Sequence, residues 1–250
     1  MCDEVELGEE RQVAPGLWVA RRSFVSTLAT LFALTAPSIG ARAKAEDLGR
    51  AGLSFEEFLA EANPLARQLV SDSSPMGQDR LLLSLASVAT RLLAVPIPEM
   101  RESGQGETAG SVIGANPGGD PFNVLHWQLE PGARIRPHAH TYGIVVTLGL
   151  EGMALVENFE VIGDRDFTSA GPVRAVRTKA QRLIPGGINL VSLERDYVHG
   201  FTAGPNGARG LDITTRLRSR ERTPYLIIPP QASRDEPFTG QWSLDDPRRV

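Results

Sequence analysis

The chain has 250 residues, of which 41% are hydrophobic, and its net charge is -4 at pH 7. This length and apolar content suit one domain with a sizeable core and appended segments. The mild acidity and the lack of a basic patch argue against a nucleic-acid partner. Because Cys2 is the only cysteine, the rest of the chain has no disulfides, cysteine metal ligands or thiol nucleophile.

The N-terminal segment has the features of an export signal. Residues 1–20 are acid-rich, residues 21–22 are paired arginines, and residues 23–40 carry no charge. With the small-residue site at 43–45, this segment resembles a twin-arginine signal peptide. A membrane anchor is the alternative, but the polar residues in 23–40 make it only weakly hydrophobic for a span. We therefore expect cleavage before Glu46, export by the twin-arginine translocation machinery to the bacterial periplasm or beyond, and no stable membrane insertion afterwards.

A helical segment follows the signal. Ser54 and Glu57 form a capping-box pattern, which predicts a helix that runs to about residue 70. Pro64 is predicted to kink or split this helix. A second helix is predicted over residues 78–93 and is apolar on most sides. We expect it to be buried against the domain that follows, with a partner or membrane surface as the alternative.

After a Gly-rich stretch, short strands separated by turn residues replace the helical pattern. The spacing of these strands suits a small β-barrel or jelly roll, so we predict a mainly β fold with an N-terminal helical segment. Residues 231–250 are polar and are predicted to form a wrapping or loose tail. The predicted strands cover residues 124–129, 134–140, 144–150, 153–161, 173–183, 188–193, 197–201 and 211–217. The predicted segments are 1–45 (extension and signal), 46–107 (helical), 108–230 (barrel) and 231–250 (tail).

Two histidines lie one residue apart on the predicted strand 134–140. Because side chains alternate along a strand, His138 and His140 face the same side and can bind one ion. His199 is the preferred third ligand, since strand pairing can bring it opposite the first two. His126 is the other candidate, and we interpret it as an outer-shell or ordinary strand histidine. The alternative is that the pair is exposed and binds no metal.

The residues around this pair resemble a known motif. Gly132, five residues, His138, one residue, His140 and then an apolar strand closing at Gly152 resemble the first motif of the cupin superfamily. That resemblance implies a β-barrel with its ligand site at the interior mouth.

A second resemblance narrows the family. Residues 185–187 followed by His199 resemble the second cupin motif, and Val145 holds the position of the usual cupin glutamate. A cupin with three histidines and no glutamate resembles the thiol dioxygenases, which include cysteine dioxygenase. Residues 122–127 also resemble the strand before the metal pair in that group.

The resemblance implies a non-haem Fe²⁺ site held by His138, His140 and His199. Three neutral imidazoles leave three positions of an octahedral ion open for an anionic chelating substrate and O₂. In a tetrahedral site the same ligands suit zinc with a bound hydroxide. Zinc, manganese and nickel are therefore the alternative metals.

Three further residues are candidates for catalytic roles. Alternation places Tyr142 near His140 and Tyr197 near His199 on the metal-facing side, with packed barrel tyrosines as the alternative. Cysteine dioxygenases hold the substrate carboxylate with an upstream arginine, but residues 110–117 contain none. Arg216 is the replacement candidate, with a surface arginine as the alternative. Asp212, Thr214 and Arg216 fall on one face of their predicted strand.

The predicted function is that of an exported mononuclear non-haem iron oxygenase that converts a small thiol to a sulfinic acid with O₂. A non-enzymatic metal or small-ligand binding cupin is one alternative. A zinc-dependent hydrolase or isomerase is another.

Overall fold

The computed structural model describes residues 52–102, 110–117, 121–164, 167, 169–218, 223–233 and 236–244. The predicted export signal lies outside these ranges. Within them, no helix combines the length and the apolar character that crossing a bilayer requires.

Two helices, α1 (Phe55–Ser71) and α2 (Pro75–Ala89), precede the strands. The capping box of α1 is confirmed, because the Glu57 N–H donates to Ser54 Oγ at 3.3 Å and the Ser54 N–H donates to Glu57 Oε2 at 2.8 Å. Pro64 lies inside α1 without splitting it, and its ring is exposed. α2 begins earlier than predicted, because Pro75 occupies its first turn after the N-cap Ser74, and it also ends earlier, at Ala89.

The helices bury one face against the sheet. Phe58, Leu69 and Leu85 belong to the same apolar cluster as the strand residues Ile144 and Leu211. The ring centroids of Phe58 and Phe122 lie 6.1 Å apart. The expected burial of α2 against the β domain is therefore confirmed.

Ten strands make up the rest of the described chain. Predicted strands 144–150 and 153–161 are one continuous strand, and so are 197–201 and 211–217. The pairing between these two long strands shifts between Gly149 and Glu151 and again between Gly152 and Ala154, so the predicted turns are bulges that bend a strand. The strands are β1 (Arg101–Glu102), β2 (Ser111–Pro117), β3 (Phe122–Leu129), β4 (Arg134–Ala139), β5 (Gly143–Val161), β6 (Gly171–Leu183), β7 (Ile188–Val191), β8 (Val198–Arg216), β9 (Tyr225–Ile227) and β10 (Phe238–Ser243).

The sheet closes on itself. β8, β4, β9, β10, β6 and β5 pair in that order, and β5 pairs back onto β8. β3, β2 and β1 extend the sheet beyond β8, and β7 lies beside β5. The predicted mainly β fold, a single barrel with an N-terminal helical segment, is confirmed.

The segment predicted as a wrapping or loose tail contributes a strand to this barrel. β10 pairs with both β6 and β9, and Phe238 and Trp242 are 7% and 3% exposed. Of the two alternatives, the loose tail is wrong for residues 238–243, because two apolar side chains on one face anchor the strand in the core.

The two faces of the long strands have different surroundings. Ile144 and Val146 pack in the helix-covered cluster, whereas Val145 belongs to a second cluster on the other face. Thr147 and Asp212 share that other face, which is the interior of the barrel.

Candidate metal centre

Three imidazoles meet inside the barrel. His138 lies on β4 directly opposite His199 on β8, and His140 follows the end of β4. The ring centroids lie 4.9 Å apart for His138 and His140, and 4.8 Å apart for each of the other two pairs. One nitrogen of each ring lies within 4.8 Å of the others, an arrangement that could hold a metal ion.

The ring nitrogens fit a divalent metal. His138 Nδ1 donates to the Arg136 carbonyl oxygen at 2.9 Å, which leaves Nε2 without a proton and able to bind an ion. The Nε2 atoms of His140 and His199 lie 2.9 Å apart. Two nitrogens each about 2.1 Å from one ion, at a right angle, lie about 3.0 Å from each other. This nitrogen spacing therefore suits cis ligands.

Burial keeps His199 in the form that binds metals. Its side chain is fully buried, and this burial lowers its pKa well below the ordinary value, with His140 and His138 acting in the same direction. A metal ligand must be neutral imidazole, so the protein already favours the required protonation state.

A carboxyl group lies beside the imidazoles. Asp212 Oδ2 is 3.9 Å from His199 Nε2, and the Thr147 hydroxyl donates to Asp212 Oδ1 at 2.7 Å. Burial raises the pKa of Asp212 to about 6, although the Thr147 hydrogen bond and Trp127 favour the charged form. Trp127 Nε1 has no partner at hydrogen-bond distance within the described residues, so it acts from farther away.

Two tyrosine rings border the cluster. The centroid of the Tyr142 ring lies 5.9 Å from that of His140, and both residues lie between β4 and β5. Tyr225 on β9 lies opposite His138, with ring centroids 6.1 Å apart. Both rings are partly exposed.

The other two candidate residues lie in different surroundings. Tyr197 is 2% exposed in an apolar cluster, and its hydroxyl accepts from the Val161 N–H at 2.6 Å, so we assign it a packing role. The Arg216 side chain is exposed at the end of β8, opposite Gly143. His126 is buried opposite Leu211 on the helix-covered face of β3, and it is not part of the metal cluster.

The sequence did not identify Tyr225 as a site residue, and it placed Asp212 only on a strand face. Alternation on β8 placed Asp212 on one face with Thr214, but only the pairing of β8 with β5 puts it beside Thr147. No sequence signal identifies Tyr225, because its position depends on the pairing of β9 with β4.

Solved structures share parts of this fold at low sequence identity. No family model and no curated protein matches the chain. KdgF from Halomonas sp. is 15% identical, with a TM-score of 0.35, over 48% of this chain and 89% of its own. Oxalate oxidase in complex with the substrate analogue glycolate is 14% identical, with a TM-score of 0.37, over 50% of this chain and 60% of its own. The Schizosaccharomyces pombe Cnp3 cupin domain is 12% identical, with a TM-score of 0.33, over 47% of this chain and 68% of its own.

Proposed function

We propose that this chain is an oxygenase that binds a divalent ion, preferentially Fe²⁺, through His138, His140 and His199, and oxidises a small thiol. The observation that carries the proposal is the convergence of three imidazole nitrogens, two of them 2.9 Å apart. A bound ferrous ion would supply adjacent positions for a thiolate and for O₂. Both atoms of O₂ end on the sulfur as R–SH becomes R–SO₂H, so the reaction needs no other reductant.

Asp212 supports a particular class of thiol. Of the two carboxyl groups buried in the described chain, Glu157 has Arg177 at 2.8 Å, whereas Asp212 has no lysine or arginine partner. Among the residues that the structure describes, no lysine or arginine side chain is buried. We therefore propose that Asp212 accepts a hydrogen bond from the amine of an aminothiol, which satisfies a buried charge at the site.

Oxygen uptake tests the proposal. The Fe²⁺-loaded protein is given 2-aminoethanethiol, cysteine and 3-mercaptopropionate in turn, and the products are analysed for sulfinic acid. We expect the highest rate with 2-aminoethanethiol, because it offers an amine and no carboxylate to Asp212. His138→Ala is the control, since it lacks one imidazole ligand.

Two outcomes would favour the alternative functions. If no thiol raises oxygen uptake above that of His138→Ala, the barrel is better explained as a metal or small-ligand binding protein. If the protein purified from its own cells carries zinc, and iron does not support oxygen uptake, a hydrolase or isomerase takes precedence.

We also propose that the mature protein acts outside the cytoplasm. The support is the sequence alone, namely the Arg21 and Arg22 pair and the uncharged segment behind it. Twin-arginine export carries folded proteins, so the metal would be bound before the protein leaves the cell.

A further inference from the structure

Asn158 on β5 lies directly opposite His199 on β8. The side chains of both residues are fully buried. Residues directly opposite each other in an antiparallel pair point to the same face, with Cβ atoms about 4.5–5.5 Å apart. Phe201, two residues along β8, has its ring 4.8 Å from that of His199 and therefore shares this face. Asn158 thus borders the third imidazole of the metal centre.

The two side chains carry complementary polar atoms. Asn158 Nδ2 donates to the Asp196 carbonyl oxygen at 3.4 Å, which directs Oδ1 away from that oxygen. Neither Asn158 Oδ1 nor His199 Nδ1 has a hydrogen-bond partner among the described residues. A buried polar atom without a partner is unfavourable, so two such atoms on neighbouring residues indicate a hydrogen bond between them that forms when a bound ion fixes the His199 ring.

The surroundings of His138 show what His199 lacks. His138 donates Nδ1–H to the Arg136 carbonyl oxygen, which fixes its ring and its tautomer. His199 directs Nε2 toward His140, so its Nδ1 carries the proton when Nε2 binds an ion. That proton needs an acceptor in a fully buried site, and the oxygen of Asn158 is the neighbouring candidate.

We propose that Asn158 is the positioning residue for His199: its Oδ1 accepts the His199 Nδ1–H and holds the imidazole in the orientation that binds the ion. This inference rests on the proposed metal centre. Asn158 does not contact the ion or the substrate, and its effect passes entirely through His199.

Metal affinity is the first test, with Co²⁺ as the probe and a competing chelator in solution. Loss of such an outer-shell acceptor costs about 10–100-fold in metal affinity, and we expect that loss in Asn158→Leu. Asn158→Asp keeps an acceptor oxygen, so it should bind Co²⁺ within about threefold of the wild type or more tightly. Asn189→Leu is the matched control. Asn189 is equally buried, but it lies on β7 opposite Thr147 of β5.

Nuclear magnetic resonance of the Zn²⁺-loaded wild type provides a test without substitution. With ¹⁵N-labelled histidine, we expect a slowly exchanging Nδ1–H on His199. A rapidly exchanging Nδ1–H, or one that is unchanged in Asn158→Leu, would overturn the inference. So would wild-type Co²⁺ affinity in Asn158→Leu, or an equal loss of affinity in Asn158→Asp or in Asn189→Leu. A wild-type protein that binds neither Co²⁺ nor Zn²⁺ would instead refute the metal centre itself.

Discussion

The three imidazoles differ in their surroundings, although they serve one centre. His138 is partly exposed and bonds to a backbone carbonyl oxygen, whereas His199 is fully buried at the contact with β5. His140 is buried, and the centroid of its ring lies 5.9 Å from that of Tyr142. Removal of any one ring leaves only two of the three imidazole nitrogens for the ion.

We therefore expect His138→Ala, His140→Ala and His199→Ala each to lose most of the bound metal. His126→Ala should keep it, because His126 lies on the helix-covered face of β3. Elemental analysis after purification checks the metal content, and circular dichroism checks the fold. Full metal content in the His199 variant would show that the third ligand is another residue.

His126 gives the protein a dependence of stability on pH. Burial, and to a lesser extent Arg209, lowers its pKa to about 4. An unfolded histidine titrates near 6.5, so the unfolded chain takes up the proton first as the pH falls. The contribution of His126 is therefore fully present above about pH 6.5 and is lost progressively toward pH 4.

Urea unfolding of the metal-free protein at pH 7 and pH 5 measures this effect. Between these values the His126 contribution should fall by about 2 kcal/mol, at about 1.4 kcal/mol per pKa unit. His126→Leu should remove that part of the pH dependence and leave the rest. An identical pH dependence in the variant would mean that His126 titrates normally in the folded protein.

Asp212→Asn isolates the charge of the carboxyl group at the same size. We expect kcat/KM with 2-aminoethanethiol to fall by roughly 10–100-fold, since a charge-assisted hydrogen bond contributes about 1.5–3 kcal/mol. The metal content should stay unchanged, because the three imidazoles remain. An equal loss with 3-mercaptopropionate would contradict a role in amine binding, and elemental analysis of the same sample provides the control.

Some residues of the candidate site can be predicted from local sequence patterns, and others cannot. The period of a strand is enough to place His138 and His140 on one side, because both lie on the same local segment. The partnership of His138 with His199, and of Asp212 with Thr147, depends on the register between strands distant in the chain. Periodicity contains no information about that register.

Among the elements, the helices and most strands follow local patterns. The capping residues locate the start of α1, and alternating apolar residues locate most strands. The pattern misses the continuity of β5 and β8, because residues such as Gly152 and Gly207 with positive φ resemble hairpin turns. It also misses β10, whose polar neighbours conceal two apolar anchors.

Pro64 provides a test of helix energetics. The proline in the middle of α1 has no N–H to donate to the carbonyl oxygen of Ala60, and it is exposed. Pro64→Ala should therefore stabilise the protein by roughly 1–3 kcal/mol without loss of packing. Thermal unfolding checks this prediction. Ala62→Gly is the control with the opposite expected sign, because Gly is unfavourable in a helix and Ala62 is fully buried in α1. A lower Tm in Pro64→Ala would mean that the proline shapes the packing of α1.

At the scale of the whole molecule, the predicted export from the cytoplasm can be tested through the arginine pair. We expect the Arg21→Lys, Arg22→Lys double variant to stay in the cytoplasm, because the export receptor reads the guanidinium pair and charge alone does not suffice. Cell fractionation measures the location, and N-terminal sequencing of the exported wild type should begin near Glu46. Normal export of the double variant would refute the twin-arginine assignment.

The pairing of His138 with His199 has a consequence for folding. An ion held by both would join β4 to β8 across about a quarter of the chain, and only after residue 199 has been synthesised. Binding to the native state alone adds about 2.7 kcal/mol of stability when the free metal is at 100 times its Kd. Metal supply would then affect how long the folded molecule persists, so a cell short of the ion would hold less of the folded protein.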